Sequence, residues 1–314
     1  MVTSYGDTTA EYVALHSSSA VVEGRYEMVA VRGPDAISFL DGILSQDIVA
    51  MDDGSVARSF LLQPQGKLTA VLWVLRGVNE CVLVADHGYG EVAARELRRF
   101  LLRVQVEIDE VVTAVRTVIG PTAGADLAAT GIDPPDGWVR RADTIVANLP
   151  LVKGIARFAV AGPADLDTLP MAGSVAADAL RVETGDAVMG IDIDEKTIPQ
   201  ETGLVPSAVS FTKGCYLGQE LVARIDSRGH VNRRLVAIRV GSNVLPPGGA
   251  ELLAAGKAVG LLTSPTESLE LRSPVGLALL RREIEVGAEV EIRWDGGTTT
   301  GTVAELPAVT FTDS

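Results

Sequence analysis

The chain has 314 residues, a hydrophobic fraction of 47% and a net charge of −14. This size and composition suit two or three packed modules, and the acidic balance excludes a general nucleic-acid surface, which requires clustered lysine and arginine. The N-terminus has no basic segment before an apolar run, and no apolar stretch reaches the ~20 residues of a membrane span, so neither a signal peptide nor a membrane protein is expected. Because Cys81 and Cys215 are the only cysteines, we expect no disulfide framework and a cytoplasmic location. No coiled-coil pattern or long apolar edge is evident, so we expect a monomer.

The first hundred residues predict an antiparallel-rich α+β arrangement that resembles an elaborated split βαβ sandwich. Apolar residues at helical spacing predict a helix from Ala36, and Pro64 to Lys67 predict a turn between two strands. The predicted strands are 25–32, 57–63, 68–76, 81–85 and 104–108, and a second helix is predicted over 91–102.

The rest of the chain predicts a connecting region and then a small barrel. Residues 121–143 are rich in Gly, Pro, Ala and Asp and predict a connection or a weakly structured insertion. A strand is predicted over 155–160, and helices over 164–169 and 175–183. Five short strands separated by Gly and Pro predict a C-terminal β-barrel: 235–240, 258–262, 276–280, 290–293 and 301–306. We therefore expect one region over 1–232, with modules at about 1–115 and 116–232, and a barrel domain over 233–314.

Several familiar chemistries are excluded. Gly66-Lys67 is not a phosphate-binding loop, because Leu61 and Leu68 replace the Gly and the Ser or Thr that the motif requires. The histidines lack metal-ligand partners at suitable spacing, and two cysteines cannot supply the four thiolates of an iron–sulfur cluster. The three histidines are His16, His87 and His230. We therefore expect no metal site built from this chain alone.

An acidic segment extends from Arg181 to Glu201. It contains six carboxylates against Arg181 and Lys196. One interpretation is a solvated acidic loop. The other is a loop that presents carboxylates to a ligand, since a carboxylate accepts two parallel hydrogen bonds and so matches the amino-pyrimidine edge of a pterin. The six are Glu183, Asp186, Asp192, Asp194, Glu195 and Glu201.

A basic segment follows, from Lys213 to Arg239. Its six basic residues oppose Glu220 and Asp226, which leaves a local charge of about +4 in an acidic chain. The segment is either a chance cluster or an anion site, for which arginine is well suited because it binds carboxylates in a bidentate way. The six basic residues are Lys213, Arg224, Arg228, Arg233, Arg234 and Arg239.

The basic segment begins with the octapeptide Lys213-Gly-Cys-Tyr-Leu-Gly-Gln-Glu220. Gly214 and Gly218 permit tight turns and close approach of a ligand. Cys215 lies two residues from Lys213 in a basic neighbourhood that favours a thiolate, so it is a candidate for reactivity or partner contact. Cys81, within an apolar run, is interpreted as a core residue.

This octapeptide, together with the upstream L-R-V-E-T-G and G-I-D-I-D-E-K-T-I-P-Q-E, resembles the YgfZ-type folate-binding proteins. That family includes iron–sulfur assembly factors and is related to the glycine cleavage T-protein, an aminomethyltransferase. The resemblance covers most of the chain from Phe39 onwards. It implies a three-part aminomethyltransferase-like fold around a central pocket for tetrahydrofolate, and a role with iron–sulfur client enzymes or assembly proteins.

The resemblance also implies roles for individual residues. Cys215 matches the functionally important cysteine of the family, and Lys213 matches the residue two positions before it, so both are predicted to be catalytic. The predicted folate-binding residues are Glu183, Glu195, Arg224, Tyr216, Gly218 and Gln219.

One departure separates this chain from the aminomethyltransferases. They carry an Asp in the strand after the turn that corresponds to Gly66, whereas here residues 67–73 contain no acid. Without that carboxylate no group is evident to exchange a proton at the reacting folate nitrogen. The leading hypothesis is therefore a folate-dependent factor for iron–sulfur proteins. The alternatives are a folate-dependent one-carbon or aminomethyl transferase, and an adaptor that has lost the folate pocket.

Overall fold

Residues 1–229 and 231–311 are described by a computed structural model. Two five-stranded sheets form the N-terminal region. The strands of this region are, in chain order, Ala20–Glu23 (β1), Tyr26–Arg32 (β2), Val56–Leu62 (β3), Leu68–Arg76 (β4), Glu80–Asp86 (β5), Glu107–Ile108 (β6), Val115–Gly120 (β7), Trp138–Arg141 (β8), Thr144–Asn148 (β9) and Ala156–Ala161 (β10).

The two sheets are antiparallel and pack against each other. The first has the order β3-β4-β5-β2-β6 and the second β1-β7-β10-β9-β8. One buried cluster takes Tyr26 and Trp73 from the first sheet and Trp138 and Ala159 from the second. Apolar residues therefore line the inner faces of both sheets, as expected for strands packed between layers.

Helices cover these sheets and connect them to the C-terminal region. Apolar residues of the third helix, Ala93 and Leu97, pack on Leu83 of β5. None of the helices in the described ranges is long and apolar enough to cross a membrane. The helices are Thr8–Ser17 (α1), Ala36–Asp41 (α2), Tyr89–Arg98 (α3), Ala123–Ala129 (α4), Ser174–Thr184 (α5), Val205–Ala208 (α6) and Gln219–Arg228 (α7), with a 3₁₀ turn at Pro199–Glu201.

The C-terminal strands close into a six-stranded barrel of order β11-β14-β13-β12-β15-β16. Leu252, Leu262, Leu280 and Ile292 fill its interior. The predicted combination of an α+β region and a small C-terminal barrel is confirmed. The barrel strands are Arg233–Val240 (β11), Ala250–Ala254 (β12), Lys257–Ser268 (β13), Ser273–Arg281 (β14), Glu289–Trp294 (β15) and Gly297–Ala304 (β16).

The prediction of a connection or weakly structured insertion over 121–143 is wrong, because these residues contain α4 and β8. Ala123 and Leu127 of α4 are buried against Phe158 of β10. Small residues allow this short helix to approach the sheet closely, and tertiary burial stabilises a segment whose composition is typical of a loop.

The prediction of a helix over 164–169 is also wrong, since these residues are irregular apart from a turn at 167–168. Asp165 Oδ1 accepts a hydrogen bond from Asp167 N at 3.1 Å, and Arg116 Nη2 donates to Ala164 O at 2.6 Å. Side chains thus form hydrogen bonds with the backbone N–H and C=O groups that would otherwise bond to each other in a helix. The five predicted barrel strands overlap observed strands, but the prediction missed β12, which follows the turn-forming Pro247-Gly248-Gly249.

Candidate functional site

Cys215 lies in a short exposed stretch between two buried anchors. The Lys213 side chain is 1% exposed and Tyr216 is 7% exposed, whereas Gly214 and Cys215 are exposed. The sequence between the anchors is too short to move far while both remain in place. The fold therefore presents the thiol at a defined position on the surface.

The Lys213 ammonium is held by the loop that follows α2. Nζ donates to the carbonyl and to Oδ1 of Asp41, at 2.5 and 3.0 Å, and to the carbonyls of Leu44 and Gln46, at 3.1 and 2.7 Å. All the donors of an ammonium group are used in such a set. This arrangement favours a positioning role for Lys213 over the catalytic role predicted from the sequence.

Tyr216 anchors the other side of the thiol. Its ring packs in a cluster with Phe60, Met189, Ile193 and Val222. Burial raises the pKa of the Tyr216 phenol to about 12, so the phenol is neutral at physiological pH. Tyr216 therefore acts as a core residue that joins the cysteine stretch to the acidic segment.

Gly218 and Gly66 form a close backbone contact. Gly218 has φ +79°, and a Cβ there would lie 2.6 Å from Gln63 O and 3.1 Å from Gly66 Cα. Gly66 has φ +74°, and its Cβ would lie 2.6 Å from Leu221 Cβ. Both positions therefore require glycine for backbone conformation and for space. Gly218 is thus fixed by its surroundings, whereas a Cβ at Gly214 would meet nothing within 4 Å.

The predicted residues that follow Gly218 belong to α7. Gln219 is the first residue of the helix and is half-buried, while Glu220 in the first turn is exposed. Arg224, one turn further along α7, is exposed. The structure thus places Gln219 beside the cysteine stretch and directs Arg224 to the surface.

The acidic segment does not form a single solvated loop. Glu183 is fully buried: its Oε1 accepts hydrogen bonds of 2.5 Å from the hydroxyls of Tyr12 and Ser268, and its Oε2 lies 2.5 Å from His16 Nε2. Both carboxylate oxygens of Glu183 are therefore engaged within the protein. Glu195 is exposed, and it accepts a hydrogen bond of 3.3 Å from the Tyr89 hydroxyl.

Asp186 lies at the centre of an arginine hub between the two sheets. Its Oδ2 accepts from Arg157 Nη1 at 2.7 Å and from Arg25 Nη2 at 2.9 Å, and its Oδ1 accepts from Arg58 Nη2 at 3.2 Å. Burial alone would raise the pKa of Asp186, but the three guanidinium groups hold it well below its usual range. Arg58 also stacks on the Trp73 ring at 4.4 Å.

The sequence interpretation missed this hub. Its one visible signal is Arg157, which interrupts the apolar strand β10 and is 2% exposed. An arginine at an inward-facing position of a buried strand requires an anionic partner. That partner, Asp186, follows α5 and cannot be paired with Arg157 by spacing alone.

An open cleft of about 850 Å³ lies between the acidic segment and the barrel. One wall is formed by 190–194 and the other by strands β12 to β14. Ile191 and Leu261 line the cleft and are 54% and 52% exposed, so the cleft has apolar as well as charged walls. Ile193 lines the cleft and packs in the same cluster as Tyr216, which connects the cleft to the cysteine stretch.

Comparisons with known proteins agree with this architecture. Residues 233–309 match the C-terminal barrel domain of the glycine cleavage T-protein. The chain is 26% identical to an aminomethyltransferase of Thermotoga petrophila, across 85% of this chain and 79% of that relative. An aminomethyltransferase of Rubrobacter xylanophilus is 27% identical, across 93% of this chain and 84% of the relative.

A solved structure decides the fold. The crystal structure of the glycine cleavage system aminomethyltransferase T from Bartonella henselae matches with a TM-score of 0.89 at 22% identity, and the match covers 98% of this chain and 91% of that chain. The chain has the fold of the glycine cleavage T-protein. The predicted aminomethyltransferase-like fold is therefore confirmed.

Within the T-protein fold, the strand after Gly66 is β4. It begins Leu68-Thr-Ala-Val-Leu-Trp, and Ala70 is buried in the core cluster that also holds α3. The departure noted in the sequence thus lies on a well-formed strand, which carries no carboxylate over 68–76.

The basic segment does not form one anion site within this fold. Arg233 pairs with Glu201 at 2.8 and 3.0 Å, Arg234 donates to Ile284 O, and Arg239 donates to Ala308 O. Each of these arginines has a separate partner, as Lys213 has. The side chain of Arg228 and the whole of His230 lie outside the described part of the T-protein fold.

No group of three or more potential ligands among the residues that the structure describes could hold a metal ion. His16 is paired with Glu183, and His87 Nδ1 lies 3.2 Å from Glu27 Oε1. His230 is not among the described residues.

The two thiols of this T-protein fold are expected to differ sharply in reactivity. Cys215 is exposed, whereas Cys81 is buried in β5 and burial raises its thiol pKa to about 12. A disulfide reagent such as Ellman's reagent should therefore modify one thiol per native chain and the second only after unfolding. The Cys215→Ser variant should show no rapid reaction. Rapid modification of two thiols in the native protein would contradict this arrangement.

Proposed function

We propose that this protein binds a reduced folate and supports iron–sulfur client enzymes through the thiol of Cys215. The clients, or the assembly proteins that serve them, are its proposed partners, and it is proposed to act as a cytoplasmic monomer without nucleic acid. Its proposed domains are 1–232, with modules at about 1–115 and 116–232, and 233–314. The observation that carries the proposal is the exposed Cys215 held between the anchors Lys213 and Tyr216.

The position of the thiol supports action on another molecule rather than internal chemistry. Cys215 is exposed, and the anchors Lys213 and Tyr216 that flank the exposed stretch are fixed by buried contacts. A cluster or a client protein could reach the sulfur without rearrangement of the fold. The resemblance of the octapeptide to the YgfZ-type proteins supplies the class of client.

Two spaces in the structure differ in whether they can hold a folate. A cavity beside the arginine hub has about 30 Å³, which is room for water-sized groups only. The cleft of about 850 Å³ has the volume of a small-molecule site. Its volume and its position, between the acidic segment and the cluster that holds Tyr216, assign the folate to this cleft.

The lining of the cleft suits the parts of a folate. Asp194 is partly buried; burial would raise its pKa, but hydrogen bonds from Lys196 N and from the Thr197 hydroxyl lower it overall. Asp194 is therefore a carboxylate at neutral pH, as recognition of an amino-pyrimidine edge requires. Ile191 and Leu261 offer apolar walls to an aromatic ring, and Arg281 offers a guanidinium to a glutamate carboxylate.

Calorimetric titration with tetrahydrofolate tests the binding and its place. The wild-type protein should bind, and Asp194→Asn should weaken the affinity about tenfold or more, because a charged hydrogen-bond acceptor is replaced. Asn keeps the Oδ1 acceptor that Lys196 N uses, so the turn should persist. The exposed Asp167→Asn is the matched control.

Each outcome of this titration has a separate meaning. Absence of heat with the wild-type protein overturns the folate proposal. If the wild-type protein binds and Asp194→Asn binds equally well, the cleft assignment fails. Titration of a Glu183→Gln variant then tests the folate-binding residue that was predicted from the sequence, whose carboxylate is buried away from the cleft.

The role of the thiol is tested in cells that lack the protein. Cys215→Ser should fail to restore the activity of cluster-dependent enzymes, while the Cys81→Ala variant, which keeps Cys215, should restore it. The abundance of each variant is measured alongside, so that loss of function is not confused with loss of protein. Full restoration by Cys215→Ser would refute the thiol-dependent part of the proposal and leave folate binding open to titration.

Aminomethyl transfer is the second candidate, because the relatives that match most of this chain are aminomethyltransferases. The lack of an acid on β4 weighs against it. Purified protein supplied with tetrahydrofolate and an aminomethyl donor should yield no methylene-folate. Formation of that product would favour the transferase.

A further inference from the structure

A small cavity lies at the contact between the second sheet, the start of β2 and helix α5. Its volume is about 30 Å³. Polar groups meet apolar side chains in its wall, and the space does not open into the cleft proposed for folate, with which it shares no lining residue. The polar residues that line it are Arg25, Tyr26, Thr117, Arg157, Arg181 and Asp186.

Two of these polar residues are incompletely bonded. Arg157 Nη2 and Thr117 Oγ1 are buried and have no hydrogen-bond partner among the residues that the structure describes. Both residues are 2% exposed. Thr117 pairs across the sheet with Ala159, two positions from Arg157 on β10, so both side chains lie on the same face. A buried unpaired donor is costly, and two of them lining one cavity indicate a bound partner.

The charges around the cavity favour an anion as that partner. Arg181 has partners of its own, the buried Asp192 at 2.8 Å and the exposed side chain of Asp178 at 2.5 Å, so it is set apart from the count for the hub. Arg25, Arg58 and Arg157 share Asp186, and among the described residues the further carboxylate paired with them is Asp86, 4.0 Å from Arg25 Nε. Three guanidinium groups thus face two carboxylates in a buried environment, which leaves one positive charge to balance.

We propose that this cavity binds one small monovalent anion of the size of chloride, held by Arg157 Nη2 and the Thr117 hydroxyl. A water molecule needs roughly 10–15 Å³ of such space, so the cavity has room for a monatomic ion and not for a pterin. The ion completes the hydrogen bonds of both donors and balances the arginine hub. Because the cavity lies where β2, β7, β10 and α5 meet, the ion stabilises the packing of the two sheets on α5.

Thermal unfolding in chloride and in gluconate at equal ionic strength tests the proposal. The melting temperature of the full-length protein should rise by several degrees with chloride and reach a plateau, because the ion binds the folded state. Thr117→Val has nearly the same shape and lacks the hydroxyl donor. Its melting temperature should be the same in the two salts, whatever its absolute stability.

Crystals grown in sodium bromide provide a second, direct readout. An anomalous peak between Arg157 Nη2 and Thr117 Oγ1 is expected in the wild-type protein and should be lost in Thr117→Val. Equal melting temperatures of the wild-type protein in both salts, together with a water molecule and no anomalous peak at this position, would overturn the proposal. Neither measurement uses folate, so the outcome is independent of the proposed function.

Discussion

Lys213→Met is expected to lower the free energy of unfolding by about 3 kcal/mol, because it leaves a set of buried acceptors without their donor. The methionine side chain has a similar length, so little packing is lost. What is lost is the ammonium that bonds Asp41, Leu44 and Gln46. Urea unfolding of the two proteins measures the difference.

The matched control is Lys257→Met. Lys257 is exposed at the start of β13, and surface substitutions of this kind change stability by about 0.5 kcal/mol or less. The rate at which Cys215 reacts with a thiol reagent provides a second readout, since release of the Lys213 anchor should change the environment of the sulfur. Unfolding free energies within about 0.5 kcal/mol of wild type for Lys213→Met would contradict the anchoring role.

The Lys213 contacts show what the sequence could and could not predict. The residue types and the glycines of the octapeptide were enough to predict a functional segment. The structure places Cys215 on the surface, where a reactive or partner-facing residue is expected. The partner of Lys213 lies 172 residues earlier, at Asp41, and no local pattern relates the two. Proximity in sequence suggested that Lys213 acts on Cys215, whereas tertiary packing engages its ammonium elsewhere.

The glycines provide a similar lesson. Gly66 and Gly218 are each recognisable as turn residues, but their contact depends on how the 63–66 turn meets the start of α7. The strand pattern of the first sheet and most of the barrel could be predicted, because alternating apolar residues determine the buried face. Helix α4 could not, because its Ala and Gly composition favours a loop until burial against Phe158 is known.

Local charge was the least reliable guide. The acidic segment contains Glu183, Asp186 and Asp192, all of which are buried and paired, alongside the exposed Glu195. A count of charges along the sequence treats these four carboxylates alike, although three are bonded inside the protein and Glu195 is exposed to solvent. Arg157 lies outside both charged segments, and yet its guanidinium bonds Asp186 at the centre of the hub.

Asp186→Asn is expected to lower the free energy of unfolding by about 3–5 kcal/mol, the range for removal of one member of a buried ion pair. Asn keeps the shape of the side chain and one acceptor oxygen but removes the negative charge. Arg25, Arg58 and Arg157 would then lose their shared counter-charge between the two sheets. Urea unfolding at neutral pH measures the loss, with the exposed Asp167→Asn as control.

The pH dependence of this difference follows from the depressed pKa of Asp186. Burial would raise that pKa, but Arg157, Arg25 and Arg58 outweigh it, so the folded-state pKa lies below the unfolded value of about 3.9. The carboxylate therefore contributes its full stabilisation above the unfolded pKa and loses it as the pH falls towards the folded one.

The difference between wild type and Asp186→Asn should consequently be constant above about pH 5 and shrink only in more acidic solution. A difference that disappears between pH 6 and 8 would mean that another group controls the hub. A constant difference of the expected size would show that one carboxylate holds the three arginines together. The arginines in turn stabilise the contact between the two sheets, on which the cavity and the position of α5 depend.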